Sequence, residues 1–553
     1  MPLSACSECS ELFNPNVNVI SYLEDKFAIP KKTICEDCVQ RRLFIFRNER
    51  KLYKNKSSLS GKDMISIYSP DKPYPVYTQE EWNSDRWDPF DYWQDYDFSR
   101  GFFEQFNKLF QRVPKPNLYN LNSENCEYNN GIVDSKNAYM NFYGSKIIDS
   151  NYTTASYDIN DSNDVWWSAM IDKSYEIISC DHTYGSFFCI DCSGWRNLLF
   201  CEDCVNCSDC IMCYGLKGKK FHIKNKEYDE LEYAKIKNWL EMWNHKLLEQ
   251  YKSEFKEFLK SMPRKWVHEL SCENCSWDHL FESKNCMSCF TVVWWENGYN
   301  VFEWWRFLEV YDSAYVYDSK YVFDSALIAW NSYNIFFSVW IWKSRDIYYS
   351  NWLDWCQDCF WCTWLLNKSF CILNKQYSKE DYLNLKNKII EAMKEDGEWW
   401  ELFPASLSPF GYNETVADDH YSIAKDDALS KWFNWSDYES PKPDVKKIIP
   451  ASKLPPSILD IPDDILNWAI ECEITNKPFR IIKPELEFYR KHNLPVPRIH
   501  PDQRHLDRMS FRNPKKLYGR ACDNCKIDMK TAYSPLRSEL IFCEKCFTDA
   551  MYR

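Results

Sequence analysis

IDSNYTTASYDINDSNDVWWSAMIDKSYEIISCDHTYGSFFCIDCSGWRNLLFCEDCVNCSDCIMC (148–213) divides into eleven consecutive hexads. Their third residues are Ser150, Ser156, Ser162, Ser168, Ser174, Cys180, Ser186, Cys192, Leu198, Cys204 and Cys210, all Ser or Cys except Leu198. Their sixth residues are Thr153, Ile159, Val165, Ile171, Ile177, Thr183, Cys189, Trp195, Cys201, Cys207 and Cys213, mostly small, β-branched or thiol side chains. The rule returns in YDSAYV, YDSKYV and FDSALI (311–328) and, after one seven-residue unit, in FFSVWI, WKSRDI, YYSNWL, DWCQDC and FWCTWL (336–365). A short strict period means that one backbone unit is stacked on itself many times.

The columns predict two short β-solenoids. If each coil uses two or three hexads, the third and sixth positions stack into inward ladders, where only small or β-branched side chains fit between closely spaced strands. Ser162, Ser174, Ser319 and Ser344 should point inward. The bulky residues Tyr311, Tyr315, Tyr317, Tyr321, Phe323, Phe336, Trp340, Trp342, Tyr348, Trp352, Phe360 and Trp364 should point outward. Asp or Asn often precedes the small residue, as at Asp161, Asp191, Asp203, Asp312 and Asp324, which suits the corner of a coil because its side chain bonds nearby backbone.

Each array ends in the same device. FHIKNKEYDELEY and FCILNKQYSKEDY read as a last strand followed by a helix, with Asp229-x-x-Glu232 and Ser378-x-x-Asp381 as capping-box-like starts. A helix there would cover the open end of the coil. The first is expected to run to Met262 before Pro263, the second to end near Gly397.

The two ends of the chain carry metal-ligand spacings. Cys6-x-x-Cys9 is answered by Cys35-x-x-Cys38, and Cys522-x-x-Cys525 by Cys543-x-x-Cys546. Two such knuckles place four thiolates tetrahedrally around one zinc ion, so two structural zinc ions are expected. A closed four-thiolate shell leaves no position for water, and catalysis at zinc is not implied.

The ends are also copies of one another. At an offset of 465, Phe46-Arg47-Asn48 matches Phe511-Arg512-Asn513, and Tyr68-Ser69-Pro70 matches Tyr533-Ser534-Pro535. Cys522, Cys525, Cys543 and Cys546 then fall on Ser57, Ser60, Thr78 and Glu81, while Cys35 and Cys38 fall on His500 and Gln503. Each end is expected to be a double knuckle that kept one metal site and replaced the other by hydrogen bonding and packing. Cys472 and His500 read as remnants of the lost site. The middle is duplicated too: at an offset of 149, Glu124-Asn125-Cys126 matches Glu273-Asn274-Cys275.

The expected organisation is mainly β, with two tandem β-solenoids, each followed by a helix, flanked by duplicated zinc-ribbon or knuckle modules. The boundaries read as 1–115 for the N-terminal knuckle module with its acidic aromatic tail, 116–226 for the first solenoid and 227–265 for a capping and linking helix. The second solenoid follows at 266–376, a capping helix at 377–396, a linker at 397–470 and the C-terminal zinc-ribbon module at 471–553.

Composition narrows the function classes. A net charge of -13 argues against a generally nucleic-acid-coating surface, so any such contact must be local. The twelve glycines form no phosphate-cradling pattern. No apolar stretch reaches the roughly 18 residues of a membrane span, and the start has no signal-peptide core. A reducing, cytoplasmic setting is expected, in which the 26 cysteines serve as thiols and metal ligands.

FRNERKLY (46–53), SIYSPD (66–71), the ENC openings at 124 and 273, FPASLSPFGYNETVA (403–417), HPDQRHLDRMSFRNPKKLY (500–518) and the final CxxC pair carry a resemblance over nearly the whole chain. It resembles the cysteine-rich hexad-repeat proteins with terminal zinc ribbons found in candidate phyla radiation (Patescibacteria) bacteria. This chain puts Ser, Tyr and Trp where many of those proteins have Cys. The resemblance implies architecture and carries no activity.

Three further readings concern function. The run Cys201, Cys204, Cys207, Cys210 and Cys213 has the look of a cluster ligand set, but it occupies the ladder positions that Ser and Val fill elsewhere, so a buried-filler role is expected. Basic residues cluster after the first knuckle at Arg41, Arg42, Arg47, Arg50 and Lys51, and in the copy at Arg508, Arg512, Lys515 and Lys516. They are candidates for RNA or DNA phosphate contact, the alternative function. No nucleophile and base can be placed together, so no enzyme is expected. The leading expectation is a scaffold or assembly protein that binds itself or a protein partner through aromatic solenoid faces, with Trp340, Trp342, Trp352 and Trp364 as interface candidates. Such rings should be buried, with the sister solenoid, the segment 80–98, another copy of the chain or an aromatic-binding ligand such as glycan or single-stranded RNA as the candidate covers and self-association the first choice.

Overall fold

A computed structural model describes all residues except 1, 2, 31, 241–243, 442–444, 446, 514–516 and 553, and omits the side chains of 195, 239, 270, 295, 304 and 305. The chain is mainly β, and its hexads form β-solenoids. Parallel pairing joins each strand to the one twelve residues on, as in Ile159↔Ile171 and Ile171↔Thr183 on one side and Val165↔Ile177 and Ile177↔Cys189 on the other. A coil is therefore two hexads. The seven-residue unit appears as one lengthened coil, where Val322 pairs with Ile335.

The inward columns hold the predicted residues. Ile159, Val165, Ile171 and Ile177 line the first core with Cys189, Cys201 and Cys213. Val316, Val322, Ile328, Ile335 and Ile341 line the second. Ser162, Ser174, Ser319 and Ser344 are buried. Ladder serines such as Ser150 and Ser162 satisfy two backbone groups at once. The Ser150 hydroxyl donates to Ile148 O at 2.7 Å and accepts from Ser162 N at 3.0 Å; Ser162 repeats this toward Asn160 O and Ser174 N. A small hydroxyl at that position thus replaces the strand bond that a corner would lose.

Every third residue is left-handed: Asp158, Asp161, Asp164, Trp167, Met170 and Lys173 have φ between 45° and 57°. Four such bends fall in each coil of twelve, and between them the third residues face inward. Left-handed backbone costs a non-glycine residue about 1–2 kcal/mol, least for Asn and Asp. Amide ladders along these positions offset part of that cost. Asn125 Nδ2 donates to Asn137 Oδ1 at 3.1 Å and Asn137 to Asp149 at 2.8 Å; Asn285, Asn297 and Glu309 form a similar line.

A helix covers the C-terminal end of each solenoid. Glu230–Trp239, capped by Asp229, sets Tyr233 against Phe221 with ring centroids 5.4 Å apart. Lys379–Glu395, capped by Ser378, sets Tyr382 against Phe370 at 5.8 Å. The segment read as one helix to Met262 instead holds two, the second being His245–Lys260. No helix among the described residues is long and apolar enough to cross a membrane.

The chain divides into two compact units, Met1–Asn117 with Val267–Tyr438 and Leu118–Trp266 with Glu439–Arg553. Each unit joins one terminal module to one solenoid, and in each the partner is the solenoid farther along the chain from that module. The segment 397–470, read as a linker, is packed structure. Phe403, Phe410, Tyr412 and Ala417 are buried in the first unit, and Ile458, Ile465 and Ile470 in the second.

The packing repeats between units. In the first, the helix Glu36–Phe44 lies on the long strand Phe290–Val316, with Phe44 5.0 Å from Phe302 and the Arg47 guanidinium 3.8 Å from the ring centre of Tyr315. In the second, the helix Pro501–Ser510 lies on Asn163–Trp166, with Arg512 5.2 Å from the ring centre of Trp166. Arg47 and Arg512 differ by 465 positions and Tyr315 and Trp166 by 149, so both duplications converge on one contact.

Candidate metal centres

Cys6 and Cys9 bracket a tight turn in which Ser10 N donates to Cys6 O at 2.9 Å and Cys6 N to Glu11 O at 2.9 Å. Cys35 caps the helix Glu36–Phe44, and Cys38 stands in its first turn. The Cys35 N–H points at Cys6 Sγ, 3.3 Å away. Sulfur–sulfur distances are 3.8 Å for Cys6–Cys38 and 3.8 Å for Cys9–Cys35. A tetrahedral shell with metal–sulfur bonds of about 2.3 Å has edges of about 3.8 Å. The four thiols could hold one metal ion, and the geometry is consistent with zinc.

Cys522, Cys525, Cys543 and Cys546 repeat the arrangement. Lys526 N donates to Cys522 O at 2.9 Å, Cys543 N approaches Cys522 Sγ at 3.3 Å, and Cys525 and Cys543 sulfurs lie 3.7 Å apart. Cys546 comes from the helix Glu544–Tyr552. Burial resists ionisation of Cys522, but the N–H groups of Cys543, Cys525 and Asn524 draw its thiol down to about 6. Backbone dipoles thus favour the thiolate that a metal needs.

The same turn occurs twice more without a thiolate set. Gly61 N donates to Ser57 O at 2.8 Å and Asn476 N to Cys472 O at 3.1 Å, and Gly61 and Asn476 are left-handed like Ser10 and Lys526. At the first of these, Glu81 takes the place of the metal. Its buried carboxylate accepts from Ser57 Oγ and, at 3.1 Å, from Thr78 N, while Glu81 N donates to Thr78 Oγ1 at 3.2 Å. At the second, His500 N approaches Cys472 Sγ at 3.2 Å and the His500 ring caps the next helix. Two knuckle turns are therefore held by hydrogen bonds, as the decayed spacing predicts.

The carboxylate mimic has a pH signature. Burial pushes the Glu81 pKa up, but hydrogen bonds from Ser57, Ser60 and Thr78 outweigh it and hold the group at about 2. A depressed carboxyl pKa contributes stability above the unfolded value of about 4.3 and loses it as pH falls toward the folded value. Glu81→Gln should therefore lower stability at neutral pH, and the gap from the native chain should close between about pH 4.3 and pH 2. Denaturant unfolding of both proteins across that range measures it. A gap independent of pH would show that Glu81 acts only through shape.

The cysteine run in the first solenoid is core. Cys192 N donates to Cys180 Sγ at 3.5 Å and Cys204 N to Cys192 Sγ at 3.4 Å, as ladder serines accept from the next coil. In the second solenoid Cys356 N and Cys362 N donate to Ser344 and Ser350 hydroxyls at 2.9 and 3.1 Å. Cys201, Cys204, Cys207, Cys210 and Cys213 are all buried, and among the described residues they form no metal-holding group.

Two predicted surfaces are occupied within the chain. Trp340, Trp352 and Trp364 point away from the coil core as expected but are only 7%, 9% and 3% exposed. They stack on one another at 4.0 and 4.5 Å, Trp82 of the acidic aromatic segment packs on Trp364 at 5.3 Å, and Trp342 is half-buried against Trp352 at 5.9 Å. Of the covers the sequence allowed, the segment 80–98 is the one found, and self-association through these four residues is not supported. Large apolar rings gain more from burial by their own chain than from waiting for a partner.

The basic candidates are likewise engaged. Arg42 pairs with Glu8, and Arg41 lies 5.6 Å from the ring centre of Tyr421. Arg47 bonds Glu49 at 2.5 Å, Arg50 is buried beside Glu49, and Lys51 faces Asp418 and Asp419. Arg508 is buried on Asp164 at 2.6 Å, and Arg512 covers Trp166 and Trp167. Lys515 and Lys516 lie outside the described residues. An arginine buried on a carboxylate is not available to phosphate.

One cluster escapes every spacing rule. His268, Asp278 and His279 are brought together only by the first turn of the second solenoid, so a carboxylate next to a histidine was the sole local signal. No protein-family model, curated protein or solved structure matches this chain.

Proposed function

We propose that this chain is a non-catalytic, zinc-stabilised scaffold that presents the uncovered faces of its solenoids to protein partners, a second copy of the chain among them. Zinc is the ion we assign to both four-cysteine shells, because four thiolates at tetrahedral spacing with no open position suit a structural zinc site. Such thiols call for a reducing compartment, the cytoplasm in this reading.

One observation carries the proposal. On the first solenoid, the strands Tyr157–Asn160, Ala169–Asp172, Asp181–Tyr184 and the start of Ser193–Glu202 form a parallel face that leaves Tyr157, Met170 and Tyr184 exposed at 36%, 43% and 46%. Two of these rings are held in place. Lys146 Nζ donates to Tyr157 Oη at 2.9 Å and Lys173 Nζ to Tyr184 Oη at 3.1 Å, with both ammonium groups about 5 Å from the ring centres. Fixed amphipathic aromatics lose little freedom on binding and are effective contact residues. A regular, rigid face of this kind is suited to docking.

Light scattering across micromolar concentrations tests the reading. Met170→Asp combined with Tyr184→Asp should abolish concentration-dependent growth of the particle without changing metal content, and growth of the native chain should depend little on salt because apolar burial is not screened. A native chain that stays monomeric and is isolated from its cells without bound protein would sink the proposal.

A further inference from the structure

The opening turn of the second solenoid holds three groups that neither cysteine shell nor inward ladder employs. His268, Asp278 and His279 each offer one ligand atom, all within 4.8 Å of one another. The Nδ1 atoms of His268 and His279 lie 3.0 and 3.5 Å from Asp278 Oδ1, and the two rings stack with centroids 4.6 Å apart. Register produces this: Leu280 N donates to His268 O at 3.0 Å, so the histidines occupy successive rungs. Backbone N–H groups of His268 and His279 donate to Asp278 Oδ1 at 2.6 and 3.0 Å, which fixes the carboxylate between the rings.

Asp278 is fully buried, and its Oδ2 accepts no hydrogen bond from the described residues. The equivalent residue in the first solenoid, at the offset of 149, is Asn129. There the amide closes its own account: Nδ2 donates to Ala138 O at 2.7 Å and Oδ1 accepts from Asn141 N at 2.6 Å. An aspartate cannot donate. Placing one at this position adds a buried negative charge and leaves an oxygen with unused lone pairs, which is costly unless a cation sits beside it. The imidazoles face that carboxylate, and with their side chains 19% and 14% exposed they give the cluster an opening to solvent.

We propose that His268, Asp278 and His279 bind a divalent transition-metal ion through two imidazole nitrogens and the carboxylate. Nitrogen and oxygen donors about 2.0–2.1 Å from an ion stand roughly 3.0–3.4 Å from one another, and the two nitrogen–oxygen spacings here, 3.0 and 3.5 Å, are close to that. Two imidazoles and one carboxylate suit zinc, cobalt or ferrous iron and select against calcium and magnesium, which take all-oxygen shells. Three protein ligands also leave a coordination position for water or a small anion, which the four-cysteine shells do not.

The test uses the full-length chain and cobalt(II) as the probe. After metal removal in mild chelator under reducing conditions, cobalt is titrated back and followed by elemental analysis and absorption. Two equivalents should fill the cysteine shells with intense sulfur-to-metal bands, and a third should enter without them. Asp278→Asn, which installs the amide of the first solenoid, should remove the third equivalent and leave the sulfur bands unchanged. His268→Gln with His279→Gln should do the same, and this pair decides the matter if Asp278→Asn fails to fold by circular dichroism. A native chain that takes up no cobalt beyond the sulfur-bound ions overturns the proposal, as does a third ion retained by either variant.

Discussion

Stripping metal from the two cysteine shells should open the cysteine turns of both terminal modules while the solenoid coils keep their protection. Each shell joins a turn to the helix that carries its last cysteine: Cys38 in Glu36–Phe44 and Cys546 in Glu544–Tyr552. Those helices are also packed, Glu36–Phe44 on Phe290–Val316 and Phe547 of the last helix in the core of its unit, so the turns that carry the first two cysteines of each shell depend most on the metal. The first shell is a small cluster of Cys6, Cys35 and Cys38 with Cys9, Phe13 and Ile34 against it. Structural zinc supplies about 10–16 kcal/mol in small domains that do not fold without it. Hydrogen exchange read by mass spectrometry should show residues 4–13 and 520–530 losing most protection after chelation, with 157–213 unchanged. Cys38→Ser and Cys546→Ser should each lose one ion and unprotect only their own end. Unaltered exchange in the stripped protein would mean that packing alone holds the modules.

The second large effect is expected at Asp164. This fully buried carboxylate accepts from Arg504 and, at 2.6 Å, from Arg508, and Arg504 also lies 3.5 Å from buried Glu485. Glu485 in turn accepts from Tyr152 and Tyr489, each at 2.8 Å. Two negative and two positive charges are thus sealed between the module and the first solenoid. Asp164→Ala leaves an uncompensated guanidinium and should cost about 3–5 kcal/mol. The other unit shows how to avoid the charges: Ser313, Ile20, Val39 and Leu43 stand at the equivalents of Asp164, Glu485, Arg504 and Arg508. Replacing all four by those residues should recover the loss, since a well-packed apolar substitute is often neutral or stabilising. Chemical unfolding of both variants measures this. If the fourfold variant is no more stable than Asp164→Ala, the two interfaces are not interchangeable.

Much of the architecture was legible because its causes are local and periodic. The third position of a hexad must be small and bond nearby backbone, so Ser and Cys recur there, the sixth must pack in the core, so Val and Ile recur there, and even the one lengthened coil at 322–335 can be counted off the chain. The four-cysteine shells were legible for a similar reason, since a two-residue spacer is the chemistry of a knuckle. The decay of the two partner knuckles followed from the internal alignment, because Glu81 and Thr78 are hydrogen-bonding residues at ligand positions.

What stayed hidden depends on contacts between segments far apart in sequence. An outward tryptophan reads the same whether a partner, a ligand or its own chain covers it; the segment 80–98 was one legible candidate, and only packing chose it by placing Trp82 on Trp364. A cluster of arginines likewise reads as free charge until Asp164, more than three hundred residues away, is found beneath it. The pairing of each terminal module with the more distant solenoid has no local mark, and neither does the meeting of His268 with Asp278 and His279. Period and spacing specify which backbone forms. Which surfaces remain open is set by burial free energy summed over the whole chain, and no short stretch of residues records that sum.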